Sequence, residues 1–359
     1  MKHSFLYGAD ISFLDEVEQA GGKFYEGEHE EDCLEILRRN GVNSIRLRLW
    51  NDPAGEFCNL EHTLQMAKRV KEKGMHLLLC FHYSDEWADP KHQTKPIEWA
   101  SLNFKELKLA LYSFTQHVVS ALVMQGTKPD MVQIGNEITM GILWEDGCVS
   151  GEFRKSDEKW QNLSDLVRTG VQAVKSVDPE INVMVHIDQG GKNDVCRFFL
   201  DRFNKHGIDF DSIGLSFYPW WHGTLEDLEY NLADLALRYG KEIAIVEMAY
   251  PWTIHNPLND ITIVRAKEQL HPGYAATVEG QAEYVRDFIQ LIQRTPHQKC
   301  IGFHYWEPCW IPCKTDWSVG HLNNWSNLTL FNDSGKPLPA LTAIRELSGF
   351  STAEGGPGV

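Results

Sequence analysis

Positive charge is what this chain has least of for its size: 34 Lys and Arg stand against 50 Asp and Glu, a formal net charge of −16. There is no Lys/Arg block to neutralise phosphates and release counterions, which argues against a nucleic-acid partner and leaves the acidic surface as a source of solubility. Long hydrophobic runs are lacking too. No 18-residue apolar stretch is apparent, so no membrane span is expected. The chain opens Met-Lys-His-Ser-Phe and enters a strand-like run at once, with no apolar leader before it. As written it is expected to be cytoplasmic, or extracellular if a leader has been removed. No Gly/Pro/Ser-rich linker and no internal repeat divide the sequence. Its 359 residues, 43% of them apolar, are therefore expected to form one domain over 1–350, with a disordered tail at 351–359. A monomer is expected.

Metal-binding spacing is also scarce. The eight cysteines include no C-x-x-C pair, and Cys309 with Cys313 makes only a lone C-x3-C. Several cysteines sit inside apolar runs, where a free thiol acts as a small hydrophobe, so free thiols are expected. His82, His186, His222 and His304 are scattered without an H-x-H pair. They are expected to be hydrogen-bonding side chains lining a cleft, and no metal is expected.

What is present is a regular alternation. Apolar, β-branched runs fall at 5–11, 44–50, 76–82, 131–136, 182–187, 212–218, 243–247 and 301–306. Between them lie stretches with helical periodicity. Leu60, Leu64, Ala67 and Val70 form one stripe ending at Gly74; Leu107, Leu111, Phe114, Val118 and Leu122 form another ending at Gly126; Leu225, Leu228, Leu232 and Leu235 precede Gly240. Strands too apolar to face water on either side, each followed by a helix, predict a single (β/α)8 barrel.

Two of the runs end in glutamate: Met131-Val-Gln-Ile-Gly-Asn-Glu137 and Ile243-Ala-Ile-Val-Glu247. Paired carboxylates at strand ends are what cleavage of a glycosidic bond requires. One stays protonated to donate to the leaving oxygen, while the other is ionised to attack or stabilise the anomeric carbon. In a barrel, chemistry sits at the C-terminal ends of the strands, and the fourth and seventh strands face each other across the mouth. Carboxyl groups about 5–5.5 Å apart would mean retention of configuration, and roughly 6.5–9.5 Å would mean inversion. Residue types alone do not say which glutamate takes which role. The chain also carries 12 Trp, many beside Pro, Asp or His in loop-like segments, which suits a surface on which sugar rings stack.

The wording around these glutamates is more specific. Gly8-Ala-Asp-Ile-Ser12, Ile45-Arg-Leu-Arg-Leu-Trp-Asn-Asp-Pro53, Phe81-His-Tyr-Ser-Asp85 with Trp87-Ala-Asp-Pro90, and Pro129-Asp-Met-Val-Gln-Ile-Gly-Asn-Glu137 occur in order. Gly214-Leu-Ser-Phe-Tyr-Pro-Trp-Trp-His-Gly-Thr224, Glu247-Met-Ala-Tyr-Pro-Trp-Thr253 and Tyr305-Trp-Glu-Pro308 follow. From Gly8 to about Leu341 the chain resembles glycoside hydrolase family 53, the endo-β-1,4-galactanases, within the clan of retaining barrel glycosidases. The resemblance implies Glu137 as acid/base and Glu247 as nucleophile in a double displacement that needs no cofactor. The implied substrate is β-1,4-galactan or galacto-oligosaccharides. Asn136 is expected to bond the sugar 2-hydroxyl, and Arg46 or Arg48 to keep the nucleophile ionised. The two arginines share a strand face, so the other is expected to pair with an interior carboxylate. Tyr218 is expected to donate to Glu247, Trp306 to floor the subsite under attack, and Asp10 to support the site. His82, Tyr83, Trp87, Asp89, Trp221 and Trp252 are expected along the groove. Bacterial relatives often carry an aspartate-rich calcium loop after the seventh strand, but residues 253–278 have no such signature, and no calcium is expected there. The rival readings are a related barrel glycosidase for another β-glycan, such as mannan or cellulose, and a sugar-binding barrel without turnover.

Overall fold

All eight apolar runs form parallel strands, within two residues of their expected bounds. They are β1 (Leu6–Asp10), β2 (Ser44–Leu49), β3 (His76–Phe81), β4 (Met131–Ile134), β5 (Asn182–Ile187), β6 (Ser212–Phe217), β7 (Glu242–Met248) and β8 (Cys300–Trp306). The computed structural model describes residues 5–255, 261–313, 320 and 322–350. The expected tail at 351–359 and part of the stretch weighed for calcium, 256–260, lie outside the described residues. Each strand pairs with its sequence neighbour, and β1 closes on β8 with Leu6 opposite Gly302 and Asp10 opposite Trp306. The result is a closed barrel of eight strands.

Eight helices return the chain outside the barrel: α1 (Cys33–Arg39), α2 (Leu60–Glu72), α3 (Phe104–Met124), α4 (Asp157–Val177), α5 (Asn193–Lys205), α6 (Leu225–Tyr239), α7 (Val278–Gln293) and α8 (Pro339–Ser348). Their ends follow local chemistry. Asn103 with Glu106 and Thr224 with Asp227 form capping boxes at the starts of α3 and α6. Gly240 stops α6 with φ 64°, where a left-handed residue is needed. The 21-residue α3 departs from expectation, since on length and composition it is apolar enough to cross a bilayer. In the fold it is a barrel helix, burying Leu107, Leu111, Val118, Val119 and Leu122 against the core.

Strand alternation divides the apolar residues between two cores. Outward-facing side chains meet the helices in the larger one. Inside the barrel, Leu6, Leu78, Met131, Met184, Ala244 and Val246 form a smaller plug toward the N-terminal ends of the strands. Above the plug the interior turns polar. His304 lies there with its Nε2 2.9 Å from Ser44 Oγ, in space that Gly8 leaves open. A Cβ on Gly8 would stand 2.3 Å from His304 Cδ2 and 2.5 Å from the Phe303 carbonyl oxygen. All eight cysteines are free. Cys33 and Cys309 bring their sulfurs to 3.1 Å, so Cys309 is partnered by α1 and not by Cys313.

Because backbone limits one side of that Gly8 contact, Gly8→Ala is expected to destabilise the fold by about 1–3 kcal/mol. Urea unfolding monitored by tryptophan fluorescence checks this, and an unchanged midpoint would show that the layer can relax around a methyl.

Candidate active site

Beyond the end of β4 the chain makes a sharp turn through Gly135 (φ 79°) and Asn136 to Glu137, a non-glycine residue held in the left-handed region at φ 48°, ψ 51°. Glycine is required at 135, since a Cβ there would lie 2.5 Å from Ile138 Cγ2. Left-handed backbone at a non-glycine residue costs free energy and collects at functional positions. Here it turns the Glu137 side chain over the barrel mouth.

Glu247 reaches the same place by a different device. Ala244 and Val246 belong to the barrel plug, so strict alternation would turn Glu247 outward toward the helices. The register slips instead. Against β6, Leu215 faces Ile245 but Ser216 faces Glu247; against β8, Ile245 faces Phe303 and Met248 faces Tyr305. One extra residue in β7 forms a bulge that re-aims Glu247 inward.

Beside Glu247 sits Arg46, 1% exposed. Its Nη1 bonds Asp10 Oδ2 at 2.7 Å and lies 3.1 Å from Glu247 Oε1. Nη2 donates to Asn136 Oδ1 at 2.7 Å, and Nε donates to Gln133 Oε1 at 3.3 Å. Tyr218 donates its hydroxyl to Glu247 Oε2 at 3.1 Å. Arg48 serves another carboxylate: its Nη1 bonds the buried Glu307 at 2.9 Å, and its guanidinium is sandwiched between Phe13 and Trp87, 4.1 and 4.4 Å from the ring centres. The choice between the two arginines therefore falls to Arg46 as the cation beside Glu247.

One carboxylate oxygen each from Glu137 and Glu247 and a ring nitrogen of His186 lie within 4.8 Å of one another. Such a group could hold a metal ion, but both nitrogens of His186 are already engaged, Nδ1 by the Glu137 backbone N–H and Nε2 by Ser216. The two carboxyls differ in acidity. Burial first, then the negative charges of Glu247 and Asp188, push Glu137 well above the ordinary carboxyl range. Burial raises Glu247 as well, but Arg46 and the Tyr218 hydroxyl pull it back. Among the described residues no cation pairs with Glu137, so Glu247 is the first of the two to ionise. His82 is kept neutral by burial and by the positive charges of Arg48 and Arg46. Its Nδ1 accepts from Ala88 N–H and Trp50 Nε1–H, which makes Nε2 the N–H on the cleft side.

Of the residues expected at the site, Arg46, Arg48, His82, Trp87, Asp89, Asn136, Glu137, Tyr218, Trp221, Glu247 and Trp306 line one cleft at the C-terminal ends of the strands. Trp221 is half exposed, while Trp306 meets Trp325 edge to face at 4.5 Å. Asp10 lies beneath the surface as the second partner of Arg46. Two groove expectations fail. Tyr83 turns away from the cleft, stacked on Phe81 with its hydroxyl bonded to Thr115 of α3, because its left-handed backbone (φ 53°) sends the ring into the helix layer. Trp252 does not line the cleft: its indole N–H donates to Ser326 O and Thr329 Oγ1, bracing the loop after β7 on the loop after β8. Of the four histidines only His82 lines the cleft; His222 accepts the Tyr218 N–H, and His186 and His304 lie inside the barrel. Sequence reasoning missed Ile263, Asn324 and Trp325 in the cleft wall, Glu307 as the Arg48 partner, and Ser216 and His186 below Glu137. The available signal was polar residues interrupting apolar strands: Ser216 shares a strand face with Tyr218, and His186 interrupts Val-His-Ile.

Carboxyls of unequal acidity meeting at the mouth of a parallel barrel place the molecule among the (β/α)8 glycoside hydrolases. The sequence profile of Glycosyl hydrolase family 53 matches residues 6–344, and the chain belongs to that family. Among solved structures, the Ignisphaera aggregans GH53 catalytic domain superposes with TM-score 0.89 at 38% identity, covering 95% of this chain and 96% of that one. A Niallia circulans protein described as "Uncharacterized protein in bgaB 5'region" is 52% identical, over 96% of this chain and 94% of its own length. An arabinogalactan endo-β-1,4-galactanase of Cellvibrio japonicus is 34% identical, over 94% of this chain and 89% of its own.

Removing the Tyr218 hydroxyl leaves Glu247 Oε2 without its donor. Tyr218→Phe is expected to move the acid limb of the kcat/KM profile to higher pH, because Glu247 becomes a weaker acid, and to lower kcat about tenfold. An unmoved acid limb would remove Tyr218 from the tuning of Glu247.

Proposed function

We propose that this protein hydrolyses β-1,4-galactosidic bonds within galactan, arabinogalactan I or galacto-oligosaccharides derived from them, with retention of configuration. The observation that carries the reading is the close approach of Glu137 and Glu247, with oxygens within 4.8 Å, combined with their unequal acidity. That close approach supports the spacing of about 5–5.5 Å at which a carboxylate attacks directly, rather than the wider one at which a water stands between carboxylate and sugar. The galactanase names of relatives such as the Cellvibrio japonicus enzyme support the substrate.

In this reading Glu247, ionised beside Arg46, attacks the anomeric carbon as Glu137 gives its proton to the departing glycosidic oxygen. A glycosyl ester forms on Glu247. Glu137, now a carboxylate, takes a proton from water, which opens the ester and restores both groups. Asn136, held by Arg46 and the Ala88 carbonyl, faces the cleft where a 2-hydroxyl would strengthen its bond as positive charge develops on the ring. Trp306 supplies an aromatic face for the apolar side of the sugar.

Incubation with linear β-1,4-galactan and, in parallel, with β-1,4-galactotetraose checks substrate and mode together. Intermediate oligomers appearing early from the polymer, with the β-anomer seen first by proton NMR, are the expected result; the α-anomer first would exclude retention. Glu247→Ala is expected to lose at least about three orders of magnitude in kcat on the same substrates.

A further inference from the structure

Ser216 and His186 are fully buried beneath Glu137 and have no part in the chemistry described so far. His186 Nδ1 accepts the Glu137 backbone N–H at 3.3 Å and faces the Gln133 amide nitrogen at 3.0 Å. Asn136 Oδ1 also lies 3.0 Å from Nδ1, but that oxygen already accepts from Arg46 Nη2 and the Gln133 amide, whereas the backbone N–H can only donate. The proton of the neutral ring is therefore on Nε2. That nitrogen lies 2.9 Å from Ser216 Oγ, so the hydroxyl accepts there and has its own hydrogen left to give. It gives it to Glu137 Oε1 at 2.6 Å. The opposite direction would need a proton on Nδ1, set against the Glu137 N–H, with only the Asn136 oxygen, already accepting from Arg46 and Gln133, to receive it. No described residue offers a partner to Oε2.

We propose that the chain from His186 through Ser216 to Glu137 is a positioning device: it reserves Oε1 as an acceptor and so confines the acid proton of Glu137 to Oε2, the oxygen left to meet the leaving group. Neither residue touches substrate. A carboxylic acid carries one proton on either of two oxygens, and only the one facing the glycosidic oxygen is productive. With Oε1 occupied, the O–H bond that breaks as the C–O bond departs is always at Oε2, and the water that opens the glycosyl ester returns its proton there. The inference rests on Glu137 being the acid.

The charged groups that face Glu137 are Glu247 from β7, Asp188 from the end of β5 and Asp89 from the loop after β3, all of which raise it; the Ser216 hydroxyl opposes them. Burial, followed by Arg46, His82 and His222, keeps His186 neutral. Loss of Ser216 therefore weakens Glu137 as an acid and frees its proton to occupy Oε1.

The test compares Ser216→Ala with wild type on phenyl and 2,4-dinitrophenyl β-galactobiosides. The dinitrophenolate leaves without protonation, so this substrate also reports whether the variant is folded and competent. Ser216→Ala is expected to lose about tenfold or more in kcat/KM on the phenyl substrate but less than about threefold on the dinitrophenyl one. Its alkaline limb on the phenyl substrate should move to higher pH, because the hydrogen bond favouring ionised Glu137 is gone. Equal losses on both substrates with an unmoved alkaline limb would overturn the proposal, as would wild-type rates on both. Glu137→Ala with added azide tests the underlying reading separately. Recovered turnover of the dinitrophenyl substrate with formation of the β-galactobiosyl azide upholds Glu137 as acid/base; no recovery sinks that assignment whatever Ser216→Ala does.

Discussion

The structure of the catalytic end hangs on one buried guanidinium. Arg46 takes hydrogen bonds or ion pairs to Asp10 at the end of β1, Cys80 on β3, Gln133 and Asn136 at β4, and Glu247 on β7. Burying a cation costs several kcal/mol, an amount the surrounding carboxylates and amide oxygens must offset together. Because the guanidinium is planar and its donors are fixed, each partner is also held at a fixed angle to the others. Strands distant in sequence are thereby locked in mutual register where sub-ångström placement matters to the chemistry. A lysine could carry the charge but not the geometry.

The same hub explains why two glutamates in one cleft do not behave alike. Both are desolvated, and desolvation alone would leave both protonated. Arg46 touches Glu247 and not Glu137. The second strand-two arginine, two residues further on, might have evened the balance, but Glu307, Phe13 and Trp87 hold it on the other side of the cleft. The difference in acidity between Glu137 and Glu247 is thus made by where positive charge is withheld as much as by where it is supplied.

Strand positions, helix stops and the two glutamates could be read from the sequence because they depend on local alternation, on glycine punctuation and on carboxylates that end apolar runs. What could not be read depends on backbone details that alternation does not encode. Tyr83 belongs to a motif next to the cleft, yet a single left-handed residue turned it into the helix layer. Trp252 follows the Glu247 strand but is spent holding two loops together. Ile263, Asn324 and Trp325 arrive from segments far along the chain, and only the closed ring brings them to the cleft. The choice between Arg46 and Arg48 turned on which neighbouring strand end carried a second carboxylate, a question of three-dimensional adjacency.

The bulge in β7 means that this strand is read in two frames. Up to Val246 its odd and even positions follow the scaffold, packing the plug on one side and the helix layer on the other. From Glu247 onward the phase belongs to the cleft. Substitution and deletion are therefore not equivalent hazards along β7. A changed side chain perturbs one contact, whereas losing a single residue from the bulge would keep the Glu247–Thr253 motif and turn Glu247 to the wrong side of the barrel wall. In this strand the spacing of residues matters as much as their identity, and an enzyme redesigned by shuffling segments could keep β7 only if its crossover points leave that extra residue in place.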